Sequence, residues 1–174
     1  MTPSVSPAKG RRMARQAIRT QMTALFTLVP EAVGTIRADD KPAIMRQLAG
    51  RFAEVYGLEA SHVEERIEER ERLGSTGFGR GVAIPHARIE GLSRPVAVFL
   101  RLEAPVAFDA ADGMPVDLVF GLLSPEHAGA AHLHALAAIS RMMRDERMHQ
   151  ALSEAPGAEA LYGLLCNVID RTAA

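Results

Sequence analysis

A histidine that directly follows a proline is the residue of this 174-residue chain best placed for chemistry. His86 comes after Pro85 and the short apolar run 82–84, which is typical of a strand that ends at a residue with no N–H to donate. A neutral imidazole keeps a free lone pair near pH 7, so this side chain can attack a phosphorus atom. Arg80 and Arg88 are nearby cations that can hold phosphate oxygens. The same pattern also fits an ordinary loop histidine, and spacing alone does not choose between the two.

A glycine-rich loop precedes this run, since residues 74–81 read Gly-Ser-Thr-Gly-Phe-Gly-Arg-Gly. Glycine permits positive φ and leaves backbone N–H groups uncovered, and such groups can cradle an anion. The loop is not a nucleotide P-loop, because no Gly-Lys-Ser/Thr follows the glycines. It is not a dinucleotide fingerprint either, because it precedes a strand instead of following one.

The helix predicted before this loop carries an arginine toward it. Val63, Ile67 and Arg70 recur at helical spacing on one apolar face, and a capping box that begins at Ser61 predicts the start of the helix. An arginine that leans inward needs an anionic partner, because burying an unpaired charge is costly. Its partner can be a bound anion or a carboxylate such as that of Glu71, or the side chain can extend to solvent.

A second helix, predicted over residues 129–144, separates two histidines by geometry. Residues two apart on a helix point in nearly opposite directions, so only one of His132 and His134 can face a given site. The apolar stripe includes His132 and three further residues, Leu136, Ile139 and Met143. His132 therefore faces inward, either as a core histidine or as a donor to phosphate near the helix N-terminus.

The order of the remaining elements predicts an α/β fold, with one sheet covered by helices on both faces. An amphipathic helix is predicted from a cap at Asp39 or Asp40 to Gly57. A nearly continuous apolar run at 116–123 is typical of a central strand. Further strands are predicted at 95–102 and 105–108, and further helices at 145–152, with Asp145 as cap, and at about 160–168.

Several motifs of the chain resemble those of one protein family. Residues 70–79 read Arg-Glu-Arg-Leu-Gly-Ser-Thr-Gly-Phe-Gly, and Ala-Ile-Pro-His follows at 83–86. Together they resemble the signature of the IIA domains of the bacterial phosphoenolpyruvate-dependent phosphotransferase system (PTS), mannitol/fructose class, nitrogen-regulatory (IIA-Ntr) branch. Residues 108–110, 112–120 and 132–137 agree as well. The family usually has glycine where this chain has Ala87.

The resemblance implies a mixed sheet covered by helices on both faces, in a PTS IIA type-2 domain at residues 22–170. It implies that Nε2 of His86 accepts a phosphoryl group, as tele-phosphohistidine, from an HPr/NPr-like histidine phosphocarrier protein. No cofactor or metal ion is expected, because the phosphoryl group arrives already activated. The resemblance assigns phosphate stabilisation to Arg70 and His132, and a phosphate loop to Ser75, Thr76, Gly77 and Gly79.

The resemblance also implies an output. The phosphorylation state would regulate target proteins in nitrogen, potassium or carbon regulation, such as potassium-transport components or sensor kinases. The alternatives are a sugar-transport IIA component that passes phosphate to a IIB domain, and a non-catalytic binding module on the same fold. A metal-dependent hydrolase is disfavoured, because the helix directs His132 and His134 apart and no carboxylate is evidently placed beside them.

The composition of the chain argues against two further classes of protein, those that bind nucleic acid and those that span a membrane. The net charge of −1 does not indicate nucleic-acid binding, and no apolar run approaches the about 20 residues needed for membrane insertion. Cys166 is the single cysteine, which fits a reducing, cytoplasmic setting. Residues 1–21 contain basic and no acidic side chains and are interpreted as a flexible N-terminal extension.

Overall fold

The computed structural model describes residues 25–167. The extension predicted at residues 1–21, both ends of the predicted domain 22–170 and the last helical position at 168 lie outside them. In chain order the elements are a 3-10 turn Pro30–Ala32, β1 Val33–Ile36, α1 Lys41–Tyr56, α2 Ala60–Arg72, β2 Gly77–Gly79, β3 Val82–Ala83, β4 His86–Ile89, β5 Val96–Val106, β6 Val116–Pro125, α3 Ala130–Met143, α4 Glu146–Glu154 and α5 Ala158–Asn167.

The strands form a mixed six-stranded sheet, in the order β1-β5-β6-β3-β2, with β4 also pairing with β6. β5 and β6 are antiparallel, whereas β1 runs parallel to β5, and β3 and β4 run parallel to β6. The side chains of β6 are almost all buried, as expected for the predicted central strand. The predicted α/β fold with a mixed sheet is confirmed.

Helices cover both faces of this sheet. α1 and α2 pack on one face, and α3, α4 and α5 pack on the other. Alternate residues of a strand point to opposite faces, and β5 shows this clearly. Val98 and Leu100 belong to the core under α1 and α2, whereas Ala97 and Phe99 belong to the core under α3, α4 and α5.

The proline before the candidate histidine interrupts a strand without ending its pairing. β3 and β4 follow the same register along β6, because Val82 pairs with Leu118 and His86 pairs with Leu122. Pro85 has no N–H to donate, but its carbonyl accepts a hydrogen bond from the Leu122 N–H at 3.0 Å. The predicted strand does end before Pro85, but His86 begins a new strand instead of following the last one.

Three predicted helix ends are confirmed. The Asp40 carboxylate caps α1 by accepting a hydrogen bond from the Ala43 N–H at 2.8 Å, and Gly57 ends that helix with φ 68°. Asp145 caps α4 by accepting from the Arg147 N–H at 2.9 Å.

The predicted start of α2 is wrong by two residues. The cap is Glu59, whose carboxylate accepts a hydrogen bond from the His62 N–H at 3.1 Å. Ser61 does not cap the helix in a box with Glu64, because its hydroxyl donates to the Glu59 carboxylate. Glu59, which precedes Ser61 and has a longer acidic side chain, therefore caps the helix in place of the serine.

The two strands predicted at 95–102 and 105–108 form one strand, β5, which runs from Val96 to Val106. Its register with β6 shifts between Arg101 and Val106. Pro105 lies in this irregular stretch, where the missing N–H removes no regular ladder bond.

Candidate functional site

The candidate site lies where β4 begins, between the end of α2 and the start of α3. Ala87 and Ile89 belong to the core under α1 and α2, so the alternate residues His86 and Arg88 face the other side. There the half-buried ring of His86 meets His132 of α3, with ring centroids 5.6 Å apart.

Hydrogen bonds fix the tautomer of His86. Its Nδ1 lies 2.8 Å from the carbonyl oxygen of Ile84, and a carbonyl can only accept, so Nδ1 carries the proton. Nε2 therefore keeps its lone pair, and it accepts a 3.2 Å hydrogen bond from Nε of Arg70. Nε2 is consequently the nitrogen of His86 that can act as a nucleophile.

Arg70 reaches the site from the last turn of α2. Val63 and Ile67 of the same helix are buried, as the apolar stripe predicts, and they fix the orientation of the last turn. Besides its bond to His86, Arg70 donates from Nη1 to the Gly74 carbonyl at 3.0 Å. Among residues 25–167 the guanidinium has no carboxylate partner within ion-pair distance, so it keeps N–H groups and charge for an anion.

His132 reaches the site from the first turn of α3. It is 6% exposed, and its Nδ1 lies 2.7 Å from the hydroxyl oxygen of Ser124, a fully buried residue of β6. His134 is exposed, so the predicted separation of the two histidines is confirmed. Since Nδ1 of His132 is occupied by Ser124, only Nε2 of that ring is left for a ligand on His86.

Both site histidines are held neutral. Burial lowers the pKa of His86 below its ordinary value, and the charge of Arg70 lowers it further, although the bond to the Ile84 carbonyl opposes this. Burial, followed by the proximity of His86 and Arg88, lowers the pKa of His132 to about 4. At neutral pH the site therefore offers one uncharged nucleophile beside a second uncharged imidazole.

Of the two flanking arginines, only one belongs to the site. The charge of Arg88 acts on His132 and lies on the same face of β4 as His86. Arg80 instead points to the junction of α3 and α4, where its Nη1 lies 3.5 Å from the Arg144 carbonyl oxygen and 3.7 Å from the Glu146 carboxylate.

Several polar groups of the predicted phosphate loop form hydrogen bonds within the protein. Gly77 and Gly79 lie in the short strand β2, and the Gly77 N–H donates to the Ser75 hydroxyl at 3.1 Å. The Ser75 hydroxyl donates to the Phe108 carbonyl at 3.0 Å. The N–H and hydroxyl of Thr76 both donate to the carboxylate of Glu71, at 2.9 and 2.6 Å. Within the described part of the chain, no hydrogen bond joins these residues to His86.

The role of Glu71 is not predicted from the sequence, which offers this residue only as a possible partner of Arg70. The Glu71 side chain is 8% exposed, and its carboxylate binds Thr76 and the ammonium of Lys41, which lies 2.9 Å away. Lys41 also lies over the Phe108 ring, 4.6 Å from its centroid. The network ties the loop to α1 and to the last turn of α2, the same turn that holds Arg70.

Two further features are absent from residues 25–167, a cluster of metal-ligating side chains and a membrane-spanning helix. No cluster of three or more histidine, cysteine, aspartate or glutamate side chains there could hold a metal ion. No helix in that part of the chain is long and apolar enough to cross a membrane.

The family model described as "Phosphoenolpyruvate-dependent sugar phosphotransferase system, EIIA 2" matches residues 30–168. The chain belongs to this family, whose members act as transferase-type phosphoryl carriers and interact with phosphocarrier and IIB partners. The motifs singled out in the sequence are thereby confirmed as those of a PTS IIA protein.

Curated relatives and a solved structure indicate the nitrogen-regulatory branch of this family. The chain is 42% identical over 139 residues to the nitrogen regulatory protein of Bradyrhizobium diazoefficiens, covering 79% of this chain and 91% of that protein. It is 45% identical over 129 residues to that of Pseudomonas aeruginosa, covering 74% and 84%. The crystal structure of nitrogen regulatory protein IIA-Ntr from Neisseria meningitidis superposes with a TM-score of 0.71 at 34% identity, covering 75% of this chain and 90% of that one.

Proposed function

We propose that this chain is a phosphoryl-carrier regulatory protein that accepts a phosphoryl group on Nε2 of His86. The observation that carries the proposal is the pair of hydrogen bonds on that ring. The Ile84 carbonyl holds the proton on Nδ1, and the lone pair of Nε2 is directed to the cationic side chain of Arg70. A neutral histidine with its free nitrogen beside an arginine is suited to attack an anionic phosphorus centre.

The donor is the phosphohistidine of an HPr/NPr-like histidine phosphocarrier protein. The P–N bond on the carrier breaks and its electron pair returns to the carrier's imidazole, while Nε2 of His86 forms the new P–N bond in line. The Nδ1 proton of His86 stays on its ring, and the bond to the Ile84 carbonyl stabilises the positive charge that develops there. No proton has to leave during the step.

Two side chains offset the charge on the three equatorial phosphoryl oxygens. Arg70 supplies a guanidinium with no carboxylate partner among the described residues, and His132 supplies the N–H of Nε2 on a neutral ring as a hydrogen-bond donor to a phosphoryl oxygen. Ser75, Thr76, Gly77 and Gly79 enter the proposal as the phosphate loop. The bond of Ser75 to Phe108 and the bonds of Thr76 to Glu71 hold the loop whose first residue, Gly74, binds Arg70.

The output of this chemistry is regulation in the cytoplasm. Phosphorylation adds about −1.5 to −2 charge at neutral pH, on the face of β4 that also carries Arg88. That change alters which surfaces the protein can bind, and the proposed targets are potassium-transport components or sensor kinases. The naming of the relatives from Bradyrhizobium diazoefficiens and Pseudomonas aeruginosa as nitrogen regulatory proteins supports a regulatory output.

The first experiment measures the intact mass of the protein after incubation with phosphoenolpyruvate, the first phosphotransferase enzyme and a histidine phosphocarrier. We expect one acid-labile phosphoryl adduct on the wild type and none on His86→Ala. His134→Ala removes an exposed histidine of α3 and should keep the adduct.

Two results would overturn the assignment. An adduct that persists on His86→Ala would place the acceptor elsewhere. The absence of an adduct with both sugar-type and nitrogen-type carriers would leave a non-catalytic binding module on this fold. Rapid transfer from the phosphorylated protein to an added IIB domain would instead favour the sugar-transport alternative over regulation.

A further inference from the structure

One fully buried hydroxyl contacts the site without contacting the acceptor histidine. Ser124 of β6 is 0% exposed, and its Oγ lies 2.7 Å from Nδ1 of His132. In the register of β4 with β6, Ser124 is the partner of Arg88. A buried polar group in a central strand is unusual, and here it lies directly behind one ring of the site.

We propose that Ser124 is a positioning residue, whose hydroxyl donates to Nδ1 of His132 and so keeps the ring proton on Nε2. The inference rests on the proposed function, because it gives His132 the N–H that a phosphoryl group on His86 requires. Ser124 then acts on the transfer reaction only through His132 and touches no reacting atom.

The direction of the hydrogen bond follows from counting protons. A neutral imidazole has one N–H, and the low pKa of His132, about 4, keeps the ring neutral. If Nδ1–H donated to the serine oxygen, the hydroxyl proton of Ser124 would need a second acceptor. Within residues 25–167 the Ser124 side chain has no hydrogen bond except the one to His132. A buried donor without an acceptor is costly, so the hydroxyl donates and the ring accepts.

The choice of tautomer decides what His132 presents to the site. With the proton on Nε2, the ring offers an N–H that can donate to a phosphoryl oxygen. With the proton on Nδ1, the ring would offer a lone pair, which repels an anion. Because the ring is neutral, it cannot provide donors at both nitrogens, and Ser124 selects the favourable form.

The tautomer can be measured without any phosphotransferase component. Two-bond ¹⁵N–¹H correlation spectra of the full chain, labelled on histidine nitrogen, distinguish the protonated from the unprotonated ring nitrogen. His132→Gln identifies the signals by their loss. We expect the proton on Nε2 of His132, and a proton on Nδ1 would overturn the inference. This measurement does not depend on phosphoryl transfer. If the protein accepts no phosphoryl group, the proposed function fails, but the spectra still determine the direction of the hydrogen bond between Ser124 and His132.

The kinetic consequence is tested with matched variants at the same position. Ser124→Ala should slow phosphoryl acceptance on His86 by about 3- to 10-fold, the value of one ordinary hydrogen bond. Ser124→Thr keeps the hydroxyl and should restore most of the rate. Ser124→Cys keeps the approximate size of the side chain and supplies a weak donor, so its rate should lie between those of the alanine variant and the wild type. This variant serves as the test if the added methyl group of threonine disturbs the core.

A double-mutant cycle separates positioning from general structural damage. In a His132→Ala background, Ser124→Ala should cause no further loss of rate, because the serine has nothing left to position. A further loss of the same size as in the wild type would mean that the hydroxyl matters for the fold alone, and the inference would be wrong. Circular dichroism of each variant verifies that the proteins compared are folded.

Discussion

Nε of Arg70 donates a 3.2 Å hydrogen bond to Nε2 of His86, the nitrogen that has to attack. In the unphosphorylated protein the arginine therefore occupies the nucleophile's lone pair. Its Nη1 is held separately by the Gly74 carbonyl at 3.0 Å. The guanidinium can thus release Nε2 and turn to the phosphoryl oxygens while it keeps its attachment to the loop.

Replacing Arg70 should therefore impair transfer more than it impairs folding. Arg70→Lys keeps the charge but loses the planar fork, and we expect phosphoryl acceptance to slow by about 10-fold. Arg70→Gln also loses the charge and should slow it by about 100-fold, the value of a strong charge-assisted pair. Quench-flow kinetics with mass detection measures both. The control is Arg72→Gln, which removes an exposed arginine that pairs with Glu68 at 3.6 Å. Equal losses at both positions would contradict a specific role for Arg70.

The ring of His86 should titrate below the ordinary histidine value of about 6.5. Burial is the larger cause of the lowered pKa, and the charge of Arg70 adds to it. Acceptance requires the neutral ring, so its rate should be constant at neutral pH and fall only as pH drops through the lowered pKa. NMR titration of the ring signals measures the midpoint directly. Arg70→Gln should raise the midpoint without bringing it fully to the ordinary value, because the burial remains. A midpoint above that of a free histidine would refute the prediction.

The parts of the site that sequence predicts are those set by local periodicity. Helical spacing directs His132 inward and His134 outward, and it brings Arg70 to the end of α2, because three or four residues define a helix face. The family motifs likewise lie in short continuous segments. The helix caps at Asp40 and Asp145 are also local, and both are found.

The parts that sequence does not predict depend on contacts between distant segments. That the Ile84 carbonyl accepts a proton from His86 depends on how the chain turns at Pro85 while it pairs with β6. The hydrogen bond between Ser124 and His132 joins a strand to a helix, and no sequence motif predicts it. The bonds between Thr76 and Glu71 span only five residues, but they depend on how the chain turns after the end of α2, and the freedom of glycine predicts a loop there without predicting that turn.

The Glu71 network should contribute to stability. Glu71→Gln removes the charge that pairs with Lys41 and weakens the two bonds from Thr76. Because Glu71 is 8% exposed, we expect the free energy of unfolding in urea to fall by about 2 kcal/mol. The control is Glu68→Gln, whose partner is the exposed Arg72, and it should change stability by no more than about 0.5 kcal/mol. If the two variants are equally stable, the network does not hold the loop.

His132 should make the protein less stable in mild acid. Its pKa is lowered to about 4 in the folded state, compared with about 6.5 in the unfolded chain. Between these values the unfolded chain binds more protons, so stability falls as pH drops below 6.5 and the loss stops growing below about 4. Between pH 7 and pH 5 this amounts to about 2 kcal/mol. Urea unfolding of wild type and His132→Gln at both values measures it. The wild type should lose about 2 kcal/mol more than the variant, and equal losses would show that His132 is protonated as readily in the fold as outside it.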